Sequence, residues 1–208
     1  MTALLLRPHE VRPLLEGTAT RFARVLKPQP TMDGHLHRIG YRNKYDYFVP
    51  AAQWTGHGYH VGDRLVCKEA WNLFQCSSDG ECSWPVKDIP KEDPRPDAYR
   101  SQIVVDYKES PAGYDTGGPW RSPATMPAWA SRLTLIVEDV DVMRVQDVTE
   151  EMAKEMGTQF VPQSDIRRQA VWSEKCDFLN IWNATNPKHP WESNPWIVTC
   201  RTTRHIGE

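Results

Sequence analysis

The chain lacks most features that would assign it to a familiar class. Its 208 residues contain no apolar run approaching the roughly 20 residues that span a bilayer. The short apolar run in MTALLLRPHE has no basic region before it and is followed at once by charge, which argues against a signal peptide. Phosphate-loop, Gly-x-Ser-x-Gly and His-Glu-x-x-His signatures are also absent from the sequence. These absences predict a cytoplasmic protein with no membrane partner and without a common catalytic motif.

The cysteine pattern favours neither disulfides nor zinc. The five cysteines are irregularly spaced, and an odd number in a cytoplasmic chain is expected to stay reduced: Cys67, Cys76, Cys82, Cys176 and Cys200. The only near pair, at 76 and 82, is too widely spaced for a usual zinc site. The histidines at 35, 37, 57 and 60 lie in Gly-rich sequence without a matching Cys or carboxylate pair. The sequence therefore predicts no metal and no cofactor.

Charge is almost balanced over the whole chain but not locally. The net charge of −2 does not indicate nucleic-acid binding. One acid, Asp33, accompanies six basic residues between positions 21 and 44: Arg21, Arg24, Lys27, Arg38, Arg42 and Lys44. This local excess is either an ordinary solvated face or a surface that could hold a few phosphates.

Short apolar and alternating runs predict a sheet with little helix between its strands. Strands are predicted at 3–6, 21–26, 64–71, 101–110, 131–145 and 195–204, the fifth with a bend near Asp139. Helices are predicted at 9–16, at 149–157 with Thr149 as cap and Gly157 as stop, and at 164–182 with Ser164 as cap. Polar stretches at 29–62 and 76–98, and the segment PAGYDTGGP, are predicted as long loops.

This order of elements favours one α+β domain over residues 1–208. Regular helices do not separate the strands, which argues against a doubly wound parallel sheet. We expect a mixed β-barrel of five to six strands, with short helices on its flanks and insertions near 29–62 and 76–98.

Tryptophan is the compositional anomaly, with nine residues. Core packing accounts for most large aromatic residues. Several of these tryptophans nevertheless stand beside Pro, Gly and Arg, as in GGPWRSPATMPAWASR, and aromatic faces near basic residues suit a stacked base. For Trp120 and Trp129 two interpretations stay open, base stacking and a Trp-Pro contact that fixes a long loop.

Glu69 is the carboxylate that invites a functional interpretation. It lies within VCKEAW, which is predicted as a strand. It is either paired with a base such as Arg24 or held in a cavity, where it could accept a hydrogen bond from the exocyclic amine of cytosine or adenine.

Several segments together resemble the ASCH family of PUA-like barrels. GTATRFARVLKPQP resembles its opening signature, Gly-x-Lys-x-x-Thr-x-Arg after a short helix, with Gly17 and Arg24 at matching positions. Other segments resemble a longer ASCH-like group common in phage and prophage genomes, namely GDRLVCKEAW, WRSPATMPAWASRLTL with VQDVTEEMAKEMG, and IWNATN with NPWIV. The resemblance implies a PUA-like β-barrel with a cleft beside the first helix and a nucleic-acid or nucleoside ligand.

The resemblance also implies a catalytic set that this chain has partly lost. Some small ASCH members hydrolyse N4-acetylcytidine with the motif's Lys and Thr and a strand Glu, and a ribonuclease activity is attributed to the family. Here the Lys position is Ala19, the Thr position is Phe22, and Glu69 matches the strand Glu. Alanine cannot act as a base, and phenylalanine has no nucleophilic oxygen.

The sequence thus predicts a protein that binds RNA, DNA or a modified nucleoside, more a binding module than an enzyme. The alternatives are a hydrolase on nucleosides or RNA that uses Glu69 as its catalytic residue, and a phage scaffold for protein interactions. The candidate binding residues are Thr20, Arg21, Arg24, Lys27, Glu69, Trp71, Trp129 and Arg132.

Overall fold

The protein is a mixed α+β structure that divides into two compact units. The computed structural model describes residues 2–33, 38–42, 48–50, 56–76, 82–83, 89–93, 102–110, 119–158 and 173–205. Unit one comprises Met1–Leu15, Arg64–Leu135 and Arg204–Glu208, and unit two comprises Glu16–Asp63 and Ile136–Thr203. Both units are thus assembled from segments that are distant in sequence.

The described residues form the following strands: β1 (Thr2–Leu5), β2 (Arg21–Val25), β3 (Thr31–Asp33), β4 (Arg38–Arg42), β5 (Phe48–Pro50), β6 (Arg64–Lys68), β7 (Trp71–Cys76), β8 (Cys82–Ser83), β9 (Gln102–Tyr107), β10 (Thr134–Arg144) and β11 (Trp196–Arg204). Within the same residues the α-helices are α1 (Pro8–Glu16), α2 (Glu150–Glu155) and α3 (Glu174–Thr185).

Unit one contains a parallel strand pair and an antiparallel three-stranded sheet. Strand β1 runs parallel to β6, and β6 lies next to the start of β10. The antiparallel sheet has the order β8-β7-β9. One face of β7 and β9 carries alternate apolar side chains that pack into a hydrophobic cluster with the 123–130 segment: Trp71, Leu73, Ile103, Val105, Tyr107, Met126, Trp129 and Ala130. The remaining side chains of β7 and β9 point to the opposite face of the sheet, away from this cluster.

Unit two holds the order β10-β11-β2 and, separately, the antiparallel sheet β3-β4-β5. Strand β2 pairs antiparallel with β11, from Ile197↔Val25 to Arg201↔Arg21. Helices α2 and α3 cover the apolar side of this pair in one cluster of buried side chains: Ala23, Val145, Val148, Ala153, Phe178, Trp182 and Ile197.

Local signals explain where the helices begin and end. Helix α1 begins with Pro8, whose missing N–H costs nothing in the first turn, and the Glu10 carboxylate accepts the Arg7 backbone N–H at 2.9 Å. Helix α2 is capped by the Thr149 hydroxyl, which accepts from Met152 N–H. Gly17 and Gly157 follow α1 and α2 with φ of 77° and 81°, the left-handed conformation that glycine adopts most readily.

Most predicted elements are confirmed in type and position, and four differ. The predicted strand at 131–145 is one continuous strand of 11 residues. The prediction of a second strand after a bend near Asp139 is therefore wrong, because the strand runs without a break from Thr134 to Arg144. The predicted strand 64–71 stops at Lys68, and a separate strand begins at Trp71.

The other differences concern the predicted loops and the last helix. The predicted loop at 29–62 contains the three short strands of the β3-β4-β5 sheet. The described helix α3 begins after Ser173, whose hydroxyl accepts from Cys176 N–H. The predicted cap Ser164, most of PAGYDTGGP and part of the 76–98 segment lie outside the described residues.

Candidate functional site

The predicted binding residues fall into two groups, one in each unit. Unit two contains Thr20, Arg21, Arg24 and Lys27, and unit one contains Glu69, Trp71, Trp129 and Arg132.

The face of β2 opposite Ala23 and Val25 carries a cation on an aromatic ring. Ala23 and Val25 face the core of unit two, so Phe22 and Arg24 share the opposite face. The Arg24 guanidinium carbon lies 5.2 Å from the centroid of the Phe22 ring, and the Tyr59 ring meets Phe22 edge-on with centroids 5.4 Å apart. Phe22 is only 1% exposed, so Arg24 and Tyr59 form the upper layer of this face.

A tight turn around residues 56–63 places two histidines beside Tyr59. The His57 ring lies nearly parallel to Tyr59, at an interplanar angle of 13°, and its centroid is 6.0 Å from that of His60. Burial, and to a lesser degree the nearby His60, lower the pKa of His57. A neutral His57 ring also fits the hydrogen bonding, because His57 Nδ1 accepts the Tyr59 backbone N–H at 3.2 Å. We name Phe22, Arg24, His57, Tyr59 and His60 the β2 surface.

Arg21 points to the other face and is surrounded by acids. Its Nε donates to Glu155 at 2.7 Å, one terminal nitrogen donates to Asp141 at 3.2 Å, and the other lies 3.9 Å from Asp139. Arg21 also donates to the Thr199 hydroxyl at 3.0 Å and is 5% exposed. A phosphate would have to displace these acids before it could contact Arg21. Positive charge for a phosphate contact on unit two would therefore have to come from other basic side chains.

Thr20 and Lys27 lie at the two ends of β2 and are both exposed. The Thr20 backbone N–H donates to Glu155 carbonyl oxygen at 2.8 Å, and its carbonyl oxygen accepts from Thr202 N–H at 2.7 Å. These backbone contacts fix Thr20, while its side chain and that of Lys27 remain at the surface.

In unit one, Glu69 is bound by an arginine that is distant in sequence. Arg132 Nε donates to Glu69 Oε1 and Arg132 Nη2 to Oε2, each at 2.8 Å. The guanidinium carbon also lies 4.2 Å from the centroid of the Tyr107 ring, and Nη1 donates to the Ser110 hydroxyl at 2.9 Å. The Glu69 side chain is 4% exposed and that of Arg132 is 26% exposed. Both carboxylate oxygens thus take part in a bidentate, charge-assisted pair.

The two tryptophans of this group pack into the core of unit one. Trp71 is fully buried, and its indole N–H donates to the Thr125 hydroxyl at 3.3 Å. Trp129 packs against the same cluster and donates its indole N–H to the Pro90 carbonyl oxygen at 3.0 Å. For Trp129 this is the contact expected of a residue that fixes a loop.

Sequence reasoning missed two polar residues on the second face of β7 and β9. Asn72 and Asp106 are direct cross-strand partners, and they are 1% and 6% exposed. The available signal was an Asp at the end of the apolar run QIVV and an Asn after Trp71, each a polar residue inside a predicted or adjacent strand. Neither is assigned a role by the motif resemblance.

The thiols and metal-ligating groups offer no alternative centre in the described part. Cys67, Cys176 and Cys200 are free thiols, and burial raises the pKa of Cys200 to about 12, which keeps it protonated at neutral pH. Among residues that the structure describes, no group of three or more His, Cys, Asp or Glu side chains could hold a metal ion. Within the same limits, no helix has the length and hydropathy needed to cross a membrane.

Comparisons with known proteins do not extend this picture. No family model matches the chain, and searches of curated proteins and of solved structures also give no match. Function is therefore inferred from the residues and their geometry.

Proposed function

We propose that the chain is a nucleic-acid-binding protein of the ASCH type, RNA-directed and built on a PUA-like barrel, as expected of the phage-associated members it resembles. The observation that carries the proposal is the β2 surface. It combines a guanidinium, a tyrosine and two imidazoles on one side of a strand that ends in the exposed Lys27.

This combination suits single-stranded RNA better than a duplex. Proteins that bind single strands use basic side chains along the backbone and aromatic faces on which bases stack. Arg24 and Lys27 supply charge for phosphates, and the Tyr59 and His57 rings supply the aromatic component. The pairing of Arg21 with three acids argues against a phosphate contact at Arg21.

The state of Glu69 supports binding over hydrolysis. A general base needs a lone pair aimed at the proton that it removes. Both Glu69 oxygens instead accept from Arg132 at 2.8 Å. The two motif positions that would supply the other catalytic groups, Ala19 and Phe22, are 4% and 1% exposed and carry no polar side-chain atom.

The test is a salt series of binding to a fluorescent single-stranded RNA of about 12 nucleotides, a length within the usual site sizes. Arg24→Ala should weaken binding about tenfold at low salt, because stacking or phosphate contact is worth about 1–3 kcal/mol. It should also reduce the slope of log K against log salt concentration by about 0.7, the value for one phosphate on a single strand.

Arg201→Ala is the matched control. Arg201 is 47% exposed, and its register partner is Arg21, which places it on the face opposite to Arg24. It removes the same charge and should leave both affinity and slope nearly unchanged. Equal losses in the two variants, or no RNA binding by the unmodified chain, would contradict the proposal.

A further inference from the structure

The second face of β7 and β9 contains a buried polar pair with one unused acceptor. Asn72 and Asp106 lie directly opposite each other in the antiparallel ladder, so their side chains share a face. Their neighbours on either side, Trp71 with Tyr107 and Leu73 with Val105, face the apolar cluster instead. Both polar residues are more than nine-tenths buried.

The carboxylate of Asp106 is only half satisfied. Oδ1 accepts the Tyr107 backbone N–H at 2.8 Å, whereas no donor of the described residues reaches the buried Oδ2. Asn72 Nδ2 makes a long contact of 3.4 Å with the Pro119 carbonyl oxygen. Leaving a buried charged acceptor unpaired costs free energy, and such groups are rare in native proteins. An unpaired acceptor in this position is a candidate contact for a ligand.

We propose that Asp106 and Asn72 form a recognition pair for the amino-bearing edge of a cytosine- or adenine-type base. Asp106 Oδ2 accepts one N–H of the exocyclic amine, and the Asn72 amide, with both donor and acceptor atoms, pairs with the adjacent ring position.

The single unused oxygen determines which bases fit. Cytosine and adenine each present one amine beside a ring nitrogen acceptor. Uracil presents a carbonyl oxygen at the equivalent position, which would face Oδ2 without a proton. Sites built to hydrogen-bond a ligand reject analogues that leave a buried polar group unpaired.

The surroundings favour a neutral planar ligand over a cation. Burial raises the pKa of Asp106, and the positive charge of Arg132 acts on the same carboxylate. A lysine or arginine of a protein partner would meet that like charge, whereas a neutral heterocycle would not. Because Oδ2 is shielded from solvent, a base reaches it only after local opening, and we expect association to be slower than diffusion.

This inference does not depend on RNA binding by the β2 surface. The pair lies in unit one and the β2 surface in unit two, and the probe is a free nucleoside without phosphate. The two proposals therefore fail separately, one in a nucleoside titration and the other in an RNA salt series.

The experiment is calorimetric titration of the full chain with cytidine, adenosine and uridine. We expect cytidine and adenosine to bind at least tenfold more tightly than uridine. Asp106→Asn should reduce cytidine affinity at least tenfold, and Asn72→Ala, which leaves the carboxylate in place, should reduce it in the same direction. The exposed Asp147→Asn is the matched control and should bind as the unmodified chain does.

Thermal unfolding of each variant checks that it is folded. The proposal is overturned if the three nucleosides bind equally, if none binds, or if Asp106→Asn is folded and binds cytidine as tightly as the unmodified chain. In that last case Oδ2 is satisfied by a buried water, and the pair is a structural feature of the β7–β9 sheet.

Discussion

Asp106 shows most clearly how one side chain can be unfavourable for the fold and useful for a ligand. Burial raises the pKa of its carboxyl, and the Tyr107 N–H and the charge of Arg132 offset this only in part. The folded state therefore holds the proton at pH values where the unfolded chain has released it. Stability from this group is full below the unfolded value of about 3.9 and is lost as pH rises through the folded pKa.

Asp106→Asn should remove that pH dependence. The melting temperature of the variant relative to the unmodified chain should rise as pH increases from about 4 towards 7, since only the unmodified chain must ionise a buried carboxyl. Thermal unfolding at several pH values measures the difference. Asp147→Asn, at an exposed site, should follow the unmodified chain throughout. Parallel curves of melting temperature against pH for Asp106→Asn and the unmodified chain would show that burial does not raise the pKa of this carboxyl.

At the scale of elements, helix starts are fixed by single hydroxyl groups. Thr149 caps α2 and Ser173 caps α3, each by accepting a backbone N–H three residues later. Thr149→Ala and Ser173→Ala should each lower the free energy of unfolding by about 1 kcal/mol. Urea denaturation measures the change. Ser122→Ala, which removes the cap of a three-residue 3-10 turn, should cost clearly less, and an equal cost would argue against helix capping as the cause.

The elements differ in how far sequence predicts them, for a physical reason. Helix α2 has its cap, first-turn acids and terminal glycine within ten residues, so its prediction is confirmed at both ends. Arg132, the partner of Glu69, lies 63 residues away in sequence, so tertiary packing decides this pair. From sequence alone, Arg24 was an equally reasonable basic partner for Glu69. Strand β7 was missed as a separate element because its two faces mix apolar and polar residues, which hides the period of two.

The candidate site, too, is predictable from sequence only where its signals are local and not where tertiary packing decides the contacts. The sequence identifies Glu69, Arg24 and Arg132 as candidate binding residues. It does not show that Arg21 and Arg24 lie on opposite faces of β2, where Arg21 meets acids and Arg24 lies on an aromatic ring. Asp106 was passed over because nothing in QIVVDYKES shows that one of its oxygens is left without a donor. That property is visible only in the folded structure, where Oδ2 is buried without a donor from the described residues.

For the whole molecule, we expect little or no deacetylation of N4-acetylcytidine. Amide hydrolysis needs an activated nucleophile, proton transfer and oxyanion stabilisation, and general acid–base help alone contributes about 10²- to 10⁴-fold. Glu69 is paired with Arg132, and Ala19 and Phe22 are buried without polar atoms. Incubation with N4-acetylcytidine and chromatography of released cytidine tests this expectation.

The double change Ala19→Lys with Phe22→Thr is the companion variant. Both positions are buried, so we expect it to lower the melting temperature rather than to restore turnover. Robust turnover by the unmodified chain, abolished by Glu69→Gln, would refute the binding interpretation and favour the hydrolase.

The pairing of β2 with β11 also determines how late unit two can fold during synthesis of the chain. Arg21 and Thr199, which meet across this pair, are separated by 178 residues. A ribosome adding about 5–20 residues per second needs on the order of ten seconds or more to synthesise the chain between them. Throughout that interval β2 has emerged without β11, and for most of it the helices that pack against Ala23 and Val25 have not yet been synthesised. Completion of unit two is therefore a late, non-local event, and the nascent chain is most exposed to aggregation just before β11 appears.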